Sequence, residues 1–181
     1  YEQSAKTEIK WINSEECIDK QQCAELLKDV QGVIVPGGFG IKNIDGMLNV
    51  ITYARENNLP FLGICLGMQC AITEFARNVV KMKDANSTEF NVNTPYPVID
   101  LMLEEKDVKG YGGAMRCGAY DCKLKKGTKV QEAYGTNKIS ERHKHRYEIN
   151  PEFIEQLEKA GMVFAGETQD GFLKEIIELP E

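Results

Sequence analysis

The chain has 181 residues, which is long enough for one domain with a hydrophobic core and too short for two domains of ordinary size. Its 22 Lys and Arg stand against 28 Asp and Glu, and a net charge of −6 argues against binding nucleic acid by phosphate neutralisation. The composition is 42% hydrophobic, no apolar run is long enough for a membrane helix, and residues 1–10 do not resemble a secretion signal. We therefore predict a folded, soluble, cytoplasmic protein with no nucleic-acid or membrane partner.

The cysteines predict neither a metal site nor a disulfide framework, because no two of them form a C-x-x-C pair. We expect most of them to be small buried hydrophobic residues, and we predict no metal site. The six are Cys17, Cys23, Cys65, Cys70, Cys117 and Cys122.

Helices and strands are predicted to alternate in the first half of the chain. An extended run over residues 7–12 precedes a helix cap at 13–16 and an apolar helical pattern that ends at Leu27. The apolar runs at 32–35 and 60–64 have no polar face, which is typical of buried parallel strands. Helical spacing over 44–54 separates these two strands, and a third helix is predicted to begin near Gly67. This order predicts a parallel sheet covered by helices on both sides, with ligands at the carboxyl ends of its strands.

The second half of the chain is predicted to form mainly strands. One helix over residues 151–159, capped by Asn150, interrupts them, and residues 169–171 are predicted to form a turn. The predicted strands cover residues 98–102, 115–124, 139–149, 162–165 and 172–179. The expected fold class is therefore α/β, with a mostly parallel central sheet flanked by helices and additional antiparallel strands.

The sharpest local signal is the segment P-F-L-G-I-C-L-G-M-Q, which places Cys65 in a G-x-C-x-G pattern. The pattern lies between an apolar strand with no polar face and a helix, which is typical of a nucleophile elbow. The tight turn of such an elbow exposes the nucleophilic side chain and leaves the next backbone amide free to bind an oxyanion. At the amino end of a helix, Cys65 is expected to favour the thiolate. The alternative is a buried cysteine on an ordinary strand.

A glycine-rich turn, V-P-G-G-F-G over residues 35–40, follows the preceding strand and should lie beside the elbow if the two strands are neighbours. It is a weak dinucleotide-binding fingerprint, because residues 41–43 supply no third glycine. A second oxyanion donor beside Cys65 explains it better. A plain turn is the alternative.

The segment E-R-H-K-H-R-Y-E over residues 141–148 alternates in character. As a strand it would place its histidines and tyrosine on one face and its basic residues on the other. The two sets are His143, His145 and Tyr147, and Arg142, Lys144 and Arg146. Taken alone, such a charge run is usually a solvated strand face.

Together these segments closely resemble the glutamine amidotransferase domains of the CTP synthase family, which are class I, triad-type glutaminases. The matching motifs occur in the same order as in the family and are nearly identical to the family's motifs, from about residue 9 to the end of the sequence. They include V-P-G-G-F-G, P-F-L-G-I-C-L-G-M-Q, S-T-E-F and E-R-H-K-H-R-Y-E-I-N. The resemblance implies a flavodoxin-like amidotransferase fold over residues 1–181.

The resemblance also implies a reaction. Cys65 would attack the side-chain amide of L-glutamine, form a glutamyl thioester that water cleaves, and release ammonia. The backbones of Gly38 and Leu66 would form the oxyanion hole, while Glu89 and Arg146 would hold the amino-acid head of the substrate. The residues implied in glutamine binding are Gly38, Leu66, Gly67, Met68, Gln69, Glu89 and Arg146.

In the family, ammonia passes to a synthetase domain of the same polypeptide. There ATP, with Mg, activates UTP, amination gives CTP, and GTP is an allosteric activator of glutamine use. The resemblance therefore implies a ligase of pyrimidine biosynthesis, a tetrameric homo-oligomer for the full enzyme, and no cofactor in this domain.

The sequence departs from the family pattern in three places. The family's catalytic histidine and glutamate belong to a Q-F-H-P-E-type motif after the segment that matches residues 173–181, and this sequence has no such motif. The family's opening strand and helix are also missing or reduced to residues 1–6. We therefore expect an amidotransferase domain incomplete at both ends, with the synthetase domain absent. Residues 42–47 read K-N-I-D-G-M where the family has R-G-x-x-G-K, which weakens the expectation of a GTP response.

Two other functions stay open from the sequence. A cysteine-based redox sensor or hydrolase would need only the elbow and an electropositive setting for Cys65. A non-catalytic or regulatory paralogue of a glutaminase domain would keep the binding residues without the base. Neither histidine of the sequence is assigned as that base, since both match the E-R-H-R-H-R-Y segment of the family.

Overall fold

The computed structural model describes residues 5–39, 43–101 and 115–179. They form an α/β fold, as predicted, with parallel strand pairs and the longer helices in the first half and mostly antiparallel strands in the second. No helix within these ranges has the length and apolar character needed to cross a membrane.

The predicted first helix is two short helices. Asn13 caps a 3₁₀ helix over Ser14–Glu16, in which Glu16 completes a capping box. Helix α1, Lys20–Leu27, then begins afresh because the Asp19 side chain accepts a hydrogen bond from the backbone of Gln22. The extended run predicted over residues 7–12 pairs with no other strand in the described part of the chain.

Strands β1, Val33–Val35, and β2, Phe61–Gly63, form the predicted parallel pair, with Ile34 and Leu62 as register partners. Register partners point to the same face of a sheet, and here Ile34 is 64% exposed and Leu62 54% exposed. The prediction of a pair covered on both sides is therefore wrong. The opposite face packs against helices, so only half of each apolar run is explained by burial.

Two helices pack against the buried face of this strand pair: α2, Ile44–Glu56, and α3, Leu66–Asn78. They are joined by an ion pair between Arg55 and Glu74, whose side chain is only 1% exposed, with 2.7 Å between Nη2 and Oε1. Helix α3 also packs its opposite side against the second half of the chain, so it lies at the centre of the core.

Among the described residues from 86 onward, seven strands form two sheets. One sheet has the order β3, β4, β7, and the other is antiparallel with the order β6, β5, β8, β9. The ranges are β3 Asn86–Ser87, β4 Pro97–Leu101, β5 Arg116–Leu124, β6 Lys138–His145, β7 Tyr147–Ile149, β8 Val163–Glu167 and β9 Lys174–Glu178. Met102, predicted to end a strand, lies outside the described residues.

Two short helices complete the described part of the second half. Helix α4, Lys129–Tyr134, was not anticipated, although Thr128 caps it in the usual way. The predicted helix over residues 151–159 begins as a 3₁₀ turn capped by Asn150 and continues as α5, Ile154–Lys159. Gly171 closes the predicted turn at 169–171 with a φ of 73°.

The strand predicted over residues 139–149 is interrupted at Arg146. Its first part, β6, pairs with β5, whereas its second part, β7, pairs with β4 in the other sheet. Arg146 belongs to neither ladder and lies where the chain crosses between the two sheets. This break decides which side chains reach the candidate site.

Candidate active site

The predicted elbow is present between β2 and α3. Cys65 is the N-cap of α3 and has a positive φ, with φ 53° and ψ −106°, a backbone conformation that a residue with a side chain rarely adopts. Such strain at the end of a strand is typical of a nucleophile held out from the sheet.

The two glycines that flank Cys65 are required by close packing. A Cβ atom on Gly63 would lie 2.7 Å from the backbone carbon of Gly67, and one on Gly67 would lie 2.1 Å from the carbonyl oxygen of Val35. The helix therefore approaches β1 and β2 more closely than any side chain would allow. This is the mechanical reason for the G-x-C-x-G spacing.

The glycine-rich turn after β1 lies beside the elbow, as the sequence predicted. A Cβ on Gly37 would be 3.4 Å from Cys65 Cβ, and one on Gly38 would be 3.2 Å from Leu66 Cδ2. The backbone amides of Gly38 and Leu66 both interact with the Cys65 sulfur and lower the pKa of its thiol. Two N–H groups from different strands' ends therefore converge on the thiol.

Burial raises the pKa of the Cys65 thiol above its ordinary value, and the carboxylates of Glu89 and Glu148 raise it further. The amides of Leu66 and Gly38 lower this pKa, but by less. The expected preference for the thiolate is therefore wrong, because burial and two nearby negative charges raise the pKa by more than the two backbone amides lower it. Cys65 needs a proton acceptor before it can attack.

A cavity of about 350 Å³ opens beside Cys65. It brings together five of the residues that the sequence singled out for the site, and four others. Its described lining is Gly38, Phe39, Cys65, Gln69, Glu89, Met115, His145, Arg146 and Tyr147. The other three predicted contact residues, Leu66, Gly67 and Met68, do not line it, although the Leu66 amide interacts with the Cys65 sulfur.

Glu89 reaches the cavity from a tight loop after β3. Its backbone amide donates to the Oγ of Ser87 at 3.2 Å, and Ser87 is completely buried. The amide of Thr88 donates to the carbonyl of Ile99 on β4 at 3.0 Å. These bonds fix the loop, so the Glu89 carboxylate is presented from a rigid support.

Arg146 enters the cavity together with its two neighbours. Regular strand alternation would have put Arg146 on the face opposite His145 and Tyr147, yet all three line the cavity. The interruption between β6 and β7 removes the alternation at this point. His145 and Tyr147 were thus missed as lining residues, and only the change of strand partner could have revealed them.

Both ring nitrogens of His145 are engaged. Nε2 lies 2.9 Å from Nδ1 of His143, and Nδ1 lies 3.1 Å from the carbonyl oxygen of Tyr147. Burial and the Arg116 guanidinium lower the pKa of His145 below its ordinary value and that of His143 to about 4. Neither ring has a nitrogen directed at Cys65.

An ion cluster lies behind these histidines. Arg116, which is 3% exposed, donates to Glu148 at 3.3 Å and to Glu175 at 2.7 Å. Burial raises the pKa of Glu148 to about 7, against the opposing effect of Arg116. Charged groups therefore continue from the cavity wall into the core.

The described residues hold no group of three or more His, Cys, Asp or Glu side chains that could bind a metal ion. Four of the six cysteines are buried, as predicted, while Cys65 is partly exposed and Cys117 is exposed. In the loop where the family's R-G-x-x-G-K pattern is altered, Lys42 lies outside the described residues.

The family model described as glutamine amidotransferase class-I matches residues 1–181. The chain belongs to the class-I glutamine amidotransferase family. Among its relatives are the CTP synthases of Desulfitobacterium hafniense, 54% identical over 180 residues, and of Clostridium beijerinckii, 52% identical over 181 residues. These matches cover 99% and 100% of the chain, which spans about a third (34%) of the length of each relative.

A comparison with a solved structure also relates the chain to CTP synthases. The structure described as the glutaminase domain of Trypanosoma brucei CTPS with bound acivicin superposes with a TM-score of 0.90 at 35% identity. The superposition covers 99% of the chain and 70% of that structure. Within its family the chain is therefore similar to the glutaminase domain of CTP synthases, which confirms the predicted resemblance and fold.

Proposed function

We propose that this chain binds L-glutamine in the cavity beside Cys65 and hydrolyses its side-chain amide to supply ammonia. One observation carries the proposal: a cysteine on a strained elbow, two backbone amides directed at its sulfur, and the charged pair Glu89 and Arg146 share a single cavity. A volume of about 350 Å³ lies at the lower end of the range for small-molecule sites.

The charged pair suits the amino-acid head of glutamine. That head carries an ammonium and a carboxylate, so it needs one anionic and one cationic partner. We assign the ammonium to Glu89 and the carboxylate to Arg146, whose planar guanidinium can bind it through two hydrogen bonds. The neutral amide would then extend towards Cys65. The other contacts that the resemblance implies are Gly38, Leu66, Gly67, Met68 and Gln69.

The chemistry is nucleophilic acyl transfer. The Cys65 sulfur bonds to the amide carbon, and the amides of Gly38 and Leu66 stabilise the oxyanion that forms. The carbon–nitrogen bond then breaks, and ammonia leaves with the proton that the thiol gave up. Water adds to the glutamyl thioester, the carbon–sulfur bond breaks, and glutamate leaves as the thiol is restored.

The thiol proton must pass through a base other than the two histidines of the sequence. Both nitrogens of His145 are engaged, by His143 and Tyr147, and the remaining nitrogen of His143, Nε2, is buried 3.8 Å from Glu175 Oε1 and does not line the cavity. The raised pKa of Cys65 makes this base necessary, and it also disfavours the alternative of a redox sensor, which would use a low-pKa thiol.

We propose further that the ammonia serves the cytoplasmic amination of UTP to CTP, because the relatives are CTP synthases. ATP, Mg and UTP would bind a synthetase domain, GTP would activate glutamine use, and the complete enzyme would be a homotetramer. The support for this step is the family relationship alone.

Replacing the nucleophile tests the proposal in a polypeptide that carries both the amidotransferase and the synthetase domain. Cys65→Ala should reduce glutamine-dependent CTP formation by about 1,000-fold or more, while use of free ammonia stays within about twofold. Cys117→Ala, which removes the exposed cysteine, is the matched control and should change neither rate. Equal loss of both activities in Cys65→Ala would contradict an ammonia-supplying role.

A further inference from the structure

Two histidines connect the cavity to the buried ion cluster. His143 Nδ1 lies 2.9 Å from His145 Nε2, and His145 Nδ1 lies 3.1 Å from the Tyr147 carbonyl oxygen and 3.4 Å from Glu148 Oε1. The same Tyr147 carbonyl accepts a hydrogen bond from Gln69 Nε2 at 3.2 Å. The contacts therefore run without a gap from β6 to the first turn of α3, next to the nucleophile.

The carbonyl oxygen of Tyr147 fixes the direction of the hydrogen bonds made by the two histidines. A carbonyl oxygen can only accept, so the hydrogen of His145 lies on Nδ1, facing Tyr147. Neutral His145 then has a lone pair on Nε2, which makes Nδ1 of His143 the donor to it. The reverse order would place the Nδ1 lone pair of His145 against the lone pairs of the Tyr147 carbonyl.

The surroundings keep both rings neutral. His143 Nε2 is buried, has no hydrogen-bond partner among the described residues, and lies 3.8 Å from Glu175 Oε1. Arg116 lies between Glu148 and Glu175 and stacks on the ring of Tyr120, which itself packs edge-on against His143. A second positive charge on either imidazole would be buried beside this guanidinium.

We propose that His143 and His145 form a fixed relay, each neutral with its hydrogen on Nδ1, that holds the Tyr147 carbonyl and thereby places Arg146 in the cavity. Arg146 lies between β6 and β7 and in neither strand ladder, so strand pairing alone does not set its position. The two histidines are positioning residues. The role of Arg146 in ligand binding rests on the proposed function, whereas the assignment of the two histidine tautomers does not.

The tautomers are tested directly by NMR on the untagged 181-residue chain. Since the sequence has only two histidines, two-bond ¹H–¹⁵N spectra give two ring patterns, and His143→Gln assigns them. At pH 7 we expect both rings to have a protonated Nδ1 and an unprotonated Nε2. A neutral ring with its hydrogen on Nε2, or a doubly protonated ring, would overturn the relay.

The positioning role is tested by the inactivation of Cys65 with a chloroketone analogue of glutamine. His145→Leu removes the donor to Tyr147, and we expect the half-saturating analogue concentration to rise about tenfold or more while the saturating rate stays within about threefold. His145→Asn keeps an N–H near the Nδ1 position and should restore most of the affinity. Lys144→Ala, on the exposed face next to it, is the control and should behave like the wild type.

The possible results separate the two proposals. An unchanged half-saturating concentration in His145→Leu, or a loss of the saturating rate alone, would overturn the positioning role. If His145→Leu does not fold, the affinity of His145→Asn and the NMR spectra of the wild type still decide the matter. If the wild type is not labelled at all, the proposed function fails, and the tautomers are still read from the spectra.

Discussion

A Cβ atom on Gly67 would lie 2.1 Å from the carbonyl oxygen of Val35, so the nucleophile's helix touches the end of β1 backbone to backbone. Gly67→Ala must push the helix away or break the elbow, since neither backbone can yield easily. We expect a loss of about 3 kcal/mol or more in the free energy of unfolding, together with loss of Cys65 labelling by the chloroketone. Urea denaturation measures the first effect, and mass spectrometry the second.

Gly135→Ala is the matched control for this change. Gly135 follows α4, has a φ of 66°, and has nothing within 4 Å of the position of a Cβ. Its replacement should cost only the left-handed backbone strain, about 1 kcal/mol, and should leave Cys65 labelling intact. If the two variants were equally stable, the close approach of α3 to β1 would not be what requires Gly67.

Glu89→Gln should separate substrate binding from thiol reactivity. Its carboxylate raises the pKa of Cys65, so removing the charge should lower that pKa and speed alkylation of Cys65 by iodoacetamide at pH 7. The same variant loses the partner proposed for the substrate ammonium, so the half-saturating concentration of the glutamine chloroketone should rise about tenfold or more. Peptide mapping quantifies the Cys65 adduct in both reactions.

Glu158→Gln is the control for Glu89→Gln, because it removes an exposed carboxylate from α5, away from the cavity. It should alter neither rate. Should Glu89→Gln slow the iodoacetamide reaction, or leave the affinity for the chloroketone unchanged, Glu89 would not act in the cavity as proposed.

The buried Glu148 should impose a pH dependence on stability. Its pKa is raised from an ordinary 4.5 to about 7, so between these values the folded state holds a proton that the unfolded state has lost. This contribution makes the wild type less stable as the pH rises through that range, by at most about 1.4 kcal/mol per pH unit. Glu148→Gln should remove it, so the stability of the variant relative to the wild type should increase from about pH 4.5 to about pH 7.

His143 contributes to the pH dependence of stability with the opposite sign. Its pKa is lowered from 6.5 to about 4, so the unfolded state binds the extra proton and stability increases with pH over that range. The two contributions oppose each other in the wild type, and Glu148→Gln exposes the histidine contribution. Urea titrations at several pH values measure both. Parallel stability curves for the wild type and Glu148→Gln would show that Glu148 titrates normally.

The elbow could be predicted from sequence because its G-x-C-x-G pattern is local. Gly63 is required by its contact with Gly67 across the turn, although Gly67 itself is required by Val35 on the neighbouring strand β1. The resemblance supplied Glu89 and Arg146, which the structure places in the cavity with Cys65. Their assigned roles stay predictions.

The rest depends on contacts between distant parts of the chain. The break at Arg146 arises because β6 and β7 pair with different sheets, which alternation within the segment cannot reveal. Arg116 meets partners that are 32 and 59 residues away in the sequence. The pKa of Cys65 likewise depends on burial and on Glu89 and Glu148, so the helix terminus alone gave the wrong direction.

The central claim is that Cys65 is the nucleophile of a glutamine site. The most direct test is to treat the chain with the glutamine chloroketone, with and without an excess of L-glutamine, and to map the adduct by mass spectrometry. We expect one adduct, on Cys65, whose formation L-glutamine suppresses. An adduct spread over Cys65 and the exposed Cys117, with no protection by L-glutamine, would contradict the claim.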